Sequence, residues 1–263
     1  MNKDRFAENQ FIVLKDDKWL ERQRYAGSVV AKCLYQARQM IEQKTPNLSL
    51  KDIEHECVKI IKDKDCYPTF LNYKGFPGAI CASVNKQLVH GIPSNYKLKN
   101  GDIVKIDIGA TFEGAIGDAA ITVIYGDPIL SKHTEMIEVC KKSLYLAISS
   151  IEVGKRLGII GETIDKYVKS SGFKLIASYG GHGISYNTPH AQPFVSNRAN
   201  KDSGVRIQPG MSITIEPMVT IGSDKTKVER DGWTVTTKDV SSHFEHSLFI
   251  REDSVEILTK LEN

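Results

Sequence analysis

Two aspartates stand in the middle of apolar, strand-forming runs: Asp107 within Val104-Lys105-Ile106-Asp107-Ile108-Gly109, and Asp118 within Gly117-Asp118-Ala119-Ala120-Ile121-Thr122-Val123. Aspartate is depleted in strands, so a chain that keeps two there needs a reason. A hairpin with its turn centred on Phe112-Glu113 sets Asp107 directly opposite Asp118 on one face. Like charges so placed destabilise a sheet and push one carboxyl pKa upward. A divalent cation between them removes both problems. Each aspartate alone reads equally as an edge or turn carboxylate; the pair, with apolar neighbours and matched register, favours the metal.

Two further acids have similar surroundings. Glu216 lies in Ile213-Thr214-Ile215-Glu216-Pro217-Met218 and Glu245 in His243-Phe244-Glu245-His246-Ser247-Leu248-Phe249-Ile250, and both are costly to bury unless paired or metal-bound. His182, in the glycine-rich stretch Tyr179-Gly180-Gly181-His182-Gly183-Ile184, reads either as a hydrogen-bonded turn residue or as a ligand. Four carboxylates and one imidazole carry a formal charge that two divalent cations neutralise. Oxygen-rich ligation with one nitrogen suits Mn, Fe, Co or Zn without choosing among them.

Helical periodicity predicts a helix over 18–43 and a second, opened by the capping box Ser49-Leu50-Lys51-Asp52, to about Lys62. Extended segments follow at 79–84, 103–110 and 119–125. The second half repeats the order, with helices over 131–151 and 159–169 and strands over 174–178, 212–216, 233–237 and 245–250. Leu34-Tyr35-x-Ala37-x-x-x-Ile41-Glu42 recurs as Leu144-Tyr145-x-Ala147-x-x-x-Ile151-Glu152, which fits either an internal duplication or chance among common helix formers. Two similar halves without a Pro/Gly/Ser-rich linker predict one pseudo-symmetric α+β domain over 1–263 with the site between them.

The chain's 263 residues suffice for a large core, and 35 Lys plus Arg against 32 Asp plus Glu leave a net charge of +3. No concentrated basic patch marks a dedicated nucleic-acid binder. After Met1-Asn2-Lys3-Asp4-Arg5 the apolar run Phe11-Ile12-Val13-Leu14 is too short for a signal-peptide core or a membrane span, so a cytoplasmic location is expected. Cys33, Cys57, Cys66, Cys81 and Cys140 form no Cys-x-x-Cys pair, which argues against a disulfide framework or a structural zinc site.

Asp107, Asp118, His182, Glu216 and Glu245, in that order, match the ligand signature of the pita-bread metallopeptidases. The segments Tyr73-Lys74-Gly75-Phe76-Pro77-Gly78-Ala79-Ile80-Cys81 and Val89-His90-Gly91-Ile92-Pro93, with Asp231-Gly232-Trp233-Thr234-Val235 and Phe244-Glu245-His246-Ser247, resemble the type I methionine aminopeptidases from about Leu14 to Ile250. That resemblance implies a single pita-bread domain, a curved antiparallel sheet covered by helices, removing the initiator methionine from nascent polypeptides with two divalent metal ions. It implies that Asp118, His182, Glu216 and Glu245 hold one or both metals, that Asp107 completes the second site, and that Glu216 also shuttles the water proton. It further implies that His90 bonds the scissile amide, that His190 bonds the carbonyl oxygen, and that Tyr73, Phe76, Cys81 and Trp233, with Phe70 at the margin, wall the methionine pocket. The same resemblance implies work near the ribosome, on nascent chains; separately, a monomer is expected.

Three segments depart from the family pattern. The eight positions from His182 to His190 make a longer loop than usual. Ala115-Ile116 stands where a histidine is common, which weakens the expected support of Asp118. The short segment Asp239-Val240-Ser241-Ser242-His243 makes His243 a surface residue. A prolidase-like enzyme would share the ligands but add a large N-terminal domain, and a type II enzyme would insert a helical segment in the 29 positions from Glu216 to Glu245. A pita-bread protein that has lost catalysis and serves as a binding protein is the remaining alternative.

Overall fold

Helix α1 (Asp17–Glu42) starts where the Asp16 carboxylate accepts the Trp19 backbone N–H at 2.8 Å, and it buries Leu20, Val30, Leu34, Ala37 and Ile41 along one stripe. Helix α2 (Leu50–Asp63) opens with the expected capping box: Ser49 Oγ accepts the Asp52 N–H, and Asp52 accepts that of Ser49. The computed structural model describes the strand Arg5–Phe6 and residues 12–260. The N-terminal reading over Met1, Asn2, Lys3, Asp4 and Phe11 lies outside the described residues.

After α2 come β1 (Cys81–Val84), β2 (Gln87–Val89), β3 (Asp102–Phe112) and β4 (Ala115–Tyr125). Helices α3 (Ser131–Ser149) and α4 (Gly158–Ser170) precede β5 (Gly180–Ser185), β6 (Thr188–Ser196), β7 (Ser212–Ile215), β8 (Met218–Thr220), β9 (Val235–Thr237), β10 (Ser241–His243) and β11 (His246–Ile250). The order helix, helix, strands therefore occurs twice. Antiparallel pairing joins β1 to β3 and β3 to β4 in the first half, and β6, β5, β7 and β11 in turn in the second. The halves are sewn together where β9 pairs β2 and where Ala120 and Glu245 exchange backbone hydrogen bonds of 3.3 and 3.0 Å.

Helix α1 packs on β3 and β4, and α3 packs on β7, β8 and β10. A Cβ on Gly117 would come within 2.6 Å of the Gly27 backbone, so α1 and β4 touch main chain to main chain. Because strand side chains alternate in direction, that contact turns the neighbouring Asp118 away from the helix. The inward faces are densely apolar; Ile53, Ile80, Ile103, Ile106, Ile108, Ile160 and Ile213 are all fully buried.

The β3–β4 hairpin corrects the expected register. Its turn falls on Glu113-Gly114, both at positive φ (45° and 81°), and Phe112 pairs with Ala115. Two-residue turns of this kind match the strand twist, and Gly114 adopts the left-handed conformation without strain, whereas a turn on Phe112-Glu113 would force Phe112 there. Asp107 consequently faces Ala120, and Asp118 faces Gly109. The two carboxylates are diagonal neighbours on one face rather than opposite each other.

The stretch from His182 to His190 is not a loop but the β5–β6 hairpin. Its tip carries Asn187 at φ 51°, and the Asn187 N–H donates to the Gly114 carbonyl at 2.9 Å. The extra length thus docks one hairpin turn against the other, while register shifts on either side of Ala191 break the regular pairing next to His190.

Candidate metal centre

Strands β3, β4 and β5 carry Asp107, Asp118 and His182; Glu216 directly follows β7, and Glu245 directly precedes β11. All five line one cavity of about 300 Å³, together with His90, His190, Phe70, Tyr73, Phe76, Cys81 and Trp233. Residues spread over more than 170 positions converge because the two antiparallel halves present their strand edges to the same space.

His182 is held on both sides. Its backbone N–H donates to Thr214 Oγ1 at 3.1 Å, and its Nδ1–H donates to the Gly183 carbonyl at 3.2 Å. That leaves the Nε2 lone pair facing Glu216 Oε1 at 3.8 Å and Glu245 Oε1 at 3.9 Å. Such a hydrogen bond on the far nitrogen orients a metal-binding imidazole.

The fit to a cation can be tested on the acid oxygens. Asp107 Oδ1, Asp118 Oδ1 and Glu245 Oε1 are buried with no hydrogen-bond partner among the described residues, an arrangement that carboxylates tolerate only when protonated or bound to metal. Burial lifts the Asp107 pKa to about 6. Burial, reinforced by mutual repulsion, holds Asp118, Glu216 and Glu245 well above the usual carboxylate range. One donor atom each from Asp118, His182 and Glu245 lie within 4.8 Å of one another, as do donors from Glu216, His243 and Glu245. The residues present fit divalent cations.

His243 is the second correction. It is 1% exposed, and its Nε2 lies 3.5 Å from Glu216 Oε2. The short segment before Glu245 is β10, paired with β8, and Thr122 of β4 grips it: Thr122 Oγ1 accepts the His243 N–H at 2.9 Å and donates to the His243 carbonyl at 2.7 Å. The spacing His243-x-Glu245 held a usable signal, since residues two apart in an extended chain share a face. Lys74 and Val89 also line the cavity and carried no comparable mark in sequence.

The support expected to be weak at Ala115-Ile116 comes from elsewhere. Both residues pack into an apolar cluster with Trp19, Leu20, Ile184 and Phe249, while Ser247 of β11 cradles Asp118. Ser247 Oγ accepts the Asp118 N–H at 2.9 Å and donates to the Asp118 carbonyl at 2.7 Å.

At the apolar side of the cavity Phe76 meets Trp233 edge to face at 5.2 Å. Cys81 pairs with Asp107 across β1 and β3, and burial, reinforced by the charge of Asp107, pushes its thiol pKa up. His90 follows β2 at φ 56°, a strained conformation that aims its ring into the cavity. Burial, then the nearby His243, lowers its pKa to about 4. His190 stands at the mouth, its ring 4.4 Å from that of His182 and 5.3 Å from that of Tyr73. All five cysteines are free and buried. Among the described residues no helix is long and apolar enough to cross a membrane.

A model of metallopeptidase family M24 matches residues 21–252. A methionine aminopeptidase of Mycoplasma capricolum is 39% identical over 253 residues, covering 95% of this chain and 99% of that one. Methionine aminopeptidase 1 of Bacillus subtilis is 38% identical, covering 95% and 100%. The crystal structure of a methionine aminopeptidase from Thermotoga maritima superposes with a TM-score of 0.90 at 38% identity, over 95% of this chain and 99% of that one. The architecture is therefore the expected pita-bread α+β fold. The family match spans every strand that lends a carboxylate or imidazole to the cavity, and on that match the chain belongs to metallopeptidase family M24.

Proposed function

We propose that this chain is a type I methionine aminopeptidase, a metal-dependent hydrolase that removes the initiator methionine from nascent polypeptides. The observation that carries the reading is a single cavity in which an acid and imidazole cluster meets an apolar wall of Phe76, Cys81 and Trp233. Such a wall suits an unbranched thioether, and the cluster lies beside the bond to be cut.

In this reading Asp107, Asp118, His182, Glu216 and Glu245 hold two divalent ions, Mn, Fe, Co or Zn. Bound there, the ions supply a water of lowered pKa and polarise the scissile carbonyl. Glu216 takes a proton from the attacking water and returns it to the departing amine. His90 donates to the scissile amide near its nitrogen, and His190 donates to the carbonyl oxygen as negative charge builds. Burial lowers the pKa of both imidazoles, so each is a neutral N–H donor at neutral pH. Tyr73, Phe76, Cys81 and Trp233, with Phe70 behind them, seat the methionine side chain and keep water from it.

Residues 1–263 form one domain, acting as a cytoplasmic monomer on chains emerging from the ribosome. Sedimentation of the purified protein tests the monomer, and co-sedimentation with translating ribosomes tests the encounter. The activity is tested with metal-stripped protein and a Met-Ala-Ser peptide, adding Mn, Co, Fe or Zn singly, with Glu216→Ala as control. Metal-dependent methionine release lost in the control supports the reading. Cleavage of X-Pro peptides with Met-Ala-Ser untouched overturns it.

A further inference from the structure

The His243 imidazole has no role in the proposed reaction, yet it is placed with care. Its side chain is 2% exposed, and neither ring nitrogen has a hydrogen-bond partner among the described residues. A buried polar atom without a hydrogen-bond partner destabilises the fold, and here two on one ring are left so. The strand that delivers the ring is fixed on both sides, by Thr122 of β4 and by the β8 pairing opposite Met218, so the ring cannot swing to solvent for a partner.

Glu216 lies between two imidazoles. Its Oε1 faces His182 Nε2 at 3.8 Å, and its Oε2 faces His243 Nε2 at 3.5 Å. The second distance is too long for a good hydrogen bond, but it suits two ligands of one ion. Donors about 2.0–2.2 Å from a common cation stand roughly 3–4 Å apart. Glu245 belongs to both donor groups, with Asp118 and His182 in one and with Glu216 and His243 in the other. The cluster therefore has two adjacent sets, each with one nitrogen and joined by the shared Glu245 carboxylate.

We propose that His243 Nε2 is a ligand of the second cation, so that each of the two ions in this chain is bound by one imidazole. The inference rests on reading the cavity as a dinuclear centre. A nitrogen in place of an all-oxygen second set shifts preference away from Mg and Mn and toward Fe, Co and Zn. The segment Ser241-Ser242-His243 then contributes to the selectivity of the centre, in addition to the five donors legible in sequence.

The test is X-ray absorption at the Zn and Co edges of metal-stripped full-length protein reloaded with two equivalents. Imidazole outer scattering gives the number of histidines per ion. The expected count is one per ion, and half per ion overturns the proposal while leaving the dinuclear centre intact. Failure to take up two equivalents removes the dinuclear reading and the proposal with it. In His243→Gln, which keeps a hydrogen-bonding side chain, the count falls to half. Calorimetry then shows the second ion bound more weakly by at least the ~10–100-fold that loss of a ligand's supporting partner costs. Unchanged count and affinity in the variant overturn the proposal. The count on the unsubstituted protein decides the matter even if the variant fails to fold.

Discussion

Ser247 is the point at which the metal centre can be weakened without touching a proposed ligand. Its hydroxyl is fully buried and closes two hydrogen bonds to one residue, accepting the Asp118 N–H at 2.9 Å and donating to the Asp118 carbonyl at 2.7 Å. In Ser247→Ala both main-chain groups of Asp118 lose that partner. Asp118 itself is 2% exposed, so water has little access to replace the hydroxyl. At about 1–3 kcal/mol for each unsatisfied buried group, the combined cost for the two groups is about 2–6 kcal/mol. That is a sizeable share of the ~5–15 kcal/mol by which a domain is stable. A chain of this size loses roughly 2–4 °C of melting temperature per kcal/mol, so a drop of about 4–24 °C is expected. The assay is urea unfolding of the metal-free protein followed by circular dichroism, with an unchanged m-value required for the comparison. Ser143→Ala is the control: that hydroxyl is equally buried but donates only to the Cys140 carbonyl one helical turn back, at 2.7 Å. A loss below about 1 kcal/mol for Ser247→Ala, or one no larger than for Ser143→Ala, would refute the cradle.

Gly117→Ala drives a methyl to 2.6 Å from the Gly27 backbone and separates α1 from β4; a loss of about 1–3 kcal/mol or more is expected in thermal melts, and an unchanged melt would contradict the close approach. Cation affinity should climb with pH. Burial lifts Asp107 to about 6, and Asp118, Glu216 and Glu245 are held well above the usual range, so below about 6 each arriving ion displaces protons. Raised carboxyl pKa values also mean that ionisation subtracts from metal-free stability as pH rises through about 6. His182 and His243, lowered to about 4, are neutral throughout that window; calorimetry in buffers of different ionisation enthalpy should report proton release on binding, and none near pH 6 would contradict the assignment. Trp233→Ala removes the edge-to-face partner of Phe76 and should raise KM for Met-Ala-Ser by roughly 10–200-fold, the range for an altered apolar pocket; an unchanged KM places the methionine elsewhere.

Much of this architecture can be read from local patterns. The capping box at Ser49 and Asp52, the apolar stripe of α1 and the recurrence of helix, helix, strands depend on side chains a few positions apart. The four acids and His182 that line the cavity were legible for a related reason: an acid or imidazole among strand-forming residues conflicts with its neighbours, and that conflict is visible one segment at a time. The hairpin register and His243 were harder because each depends on a partner distant in sequence or on a backbone conformation. Shifting the turn from Phe112-Glu113 to Glu113-Gly114 moves Asp118 from opposite Asp107 to a diagonal place, and the alternation of apolar residues is the same in both registers.

By itself, the sequence determined the chemistry of the donors, the helix boundaries and the kind of fold, since those depend on residue type and short-range periodicity. Only the tertiary structure decided which donor atoms lie within reach of one another, what supports Asp118, and where His243 points. Those depend on how two antiparallel halves meet along β4, where Ala120 bonds Glu245 and Thr122 grips His243. Contacts of that kind form between residues more than 100 positions apart and leave no periodic trace in the chain.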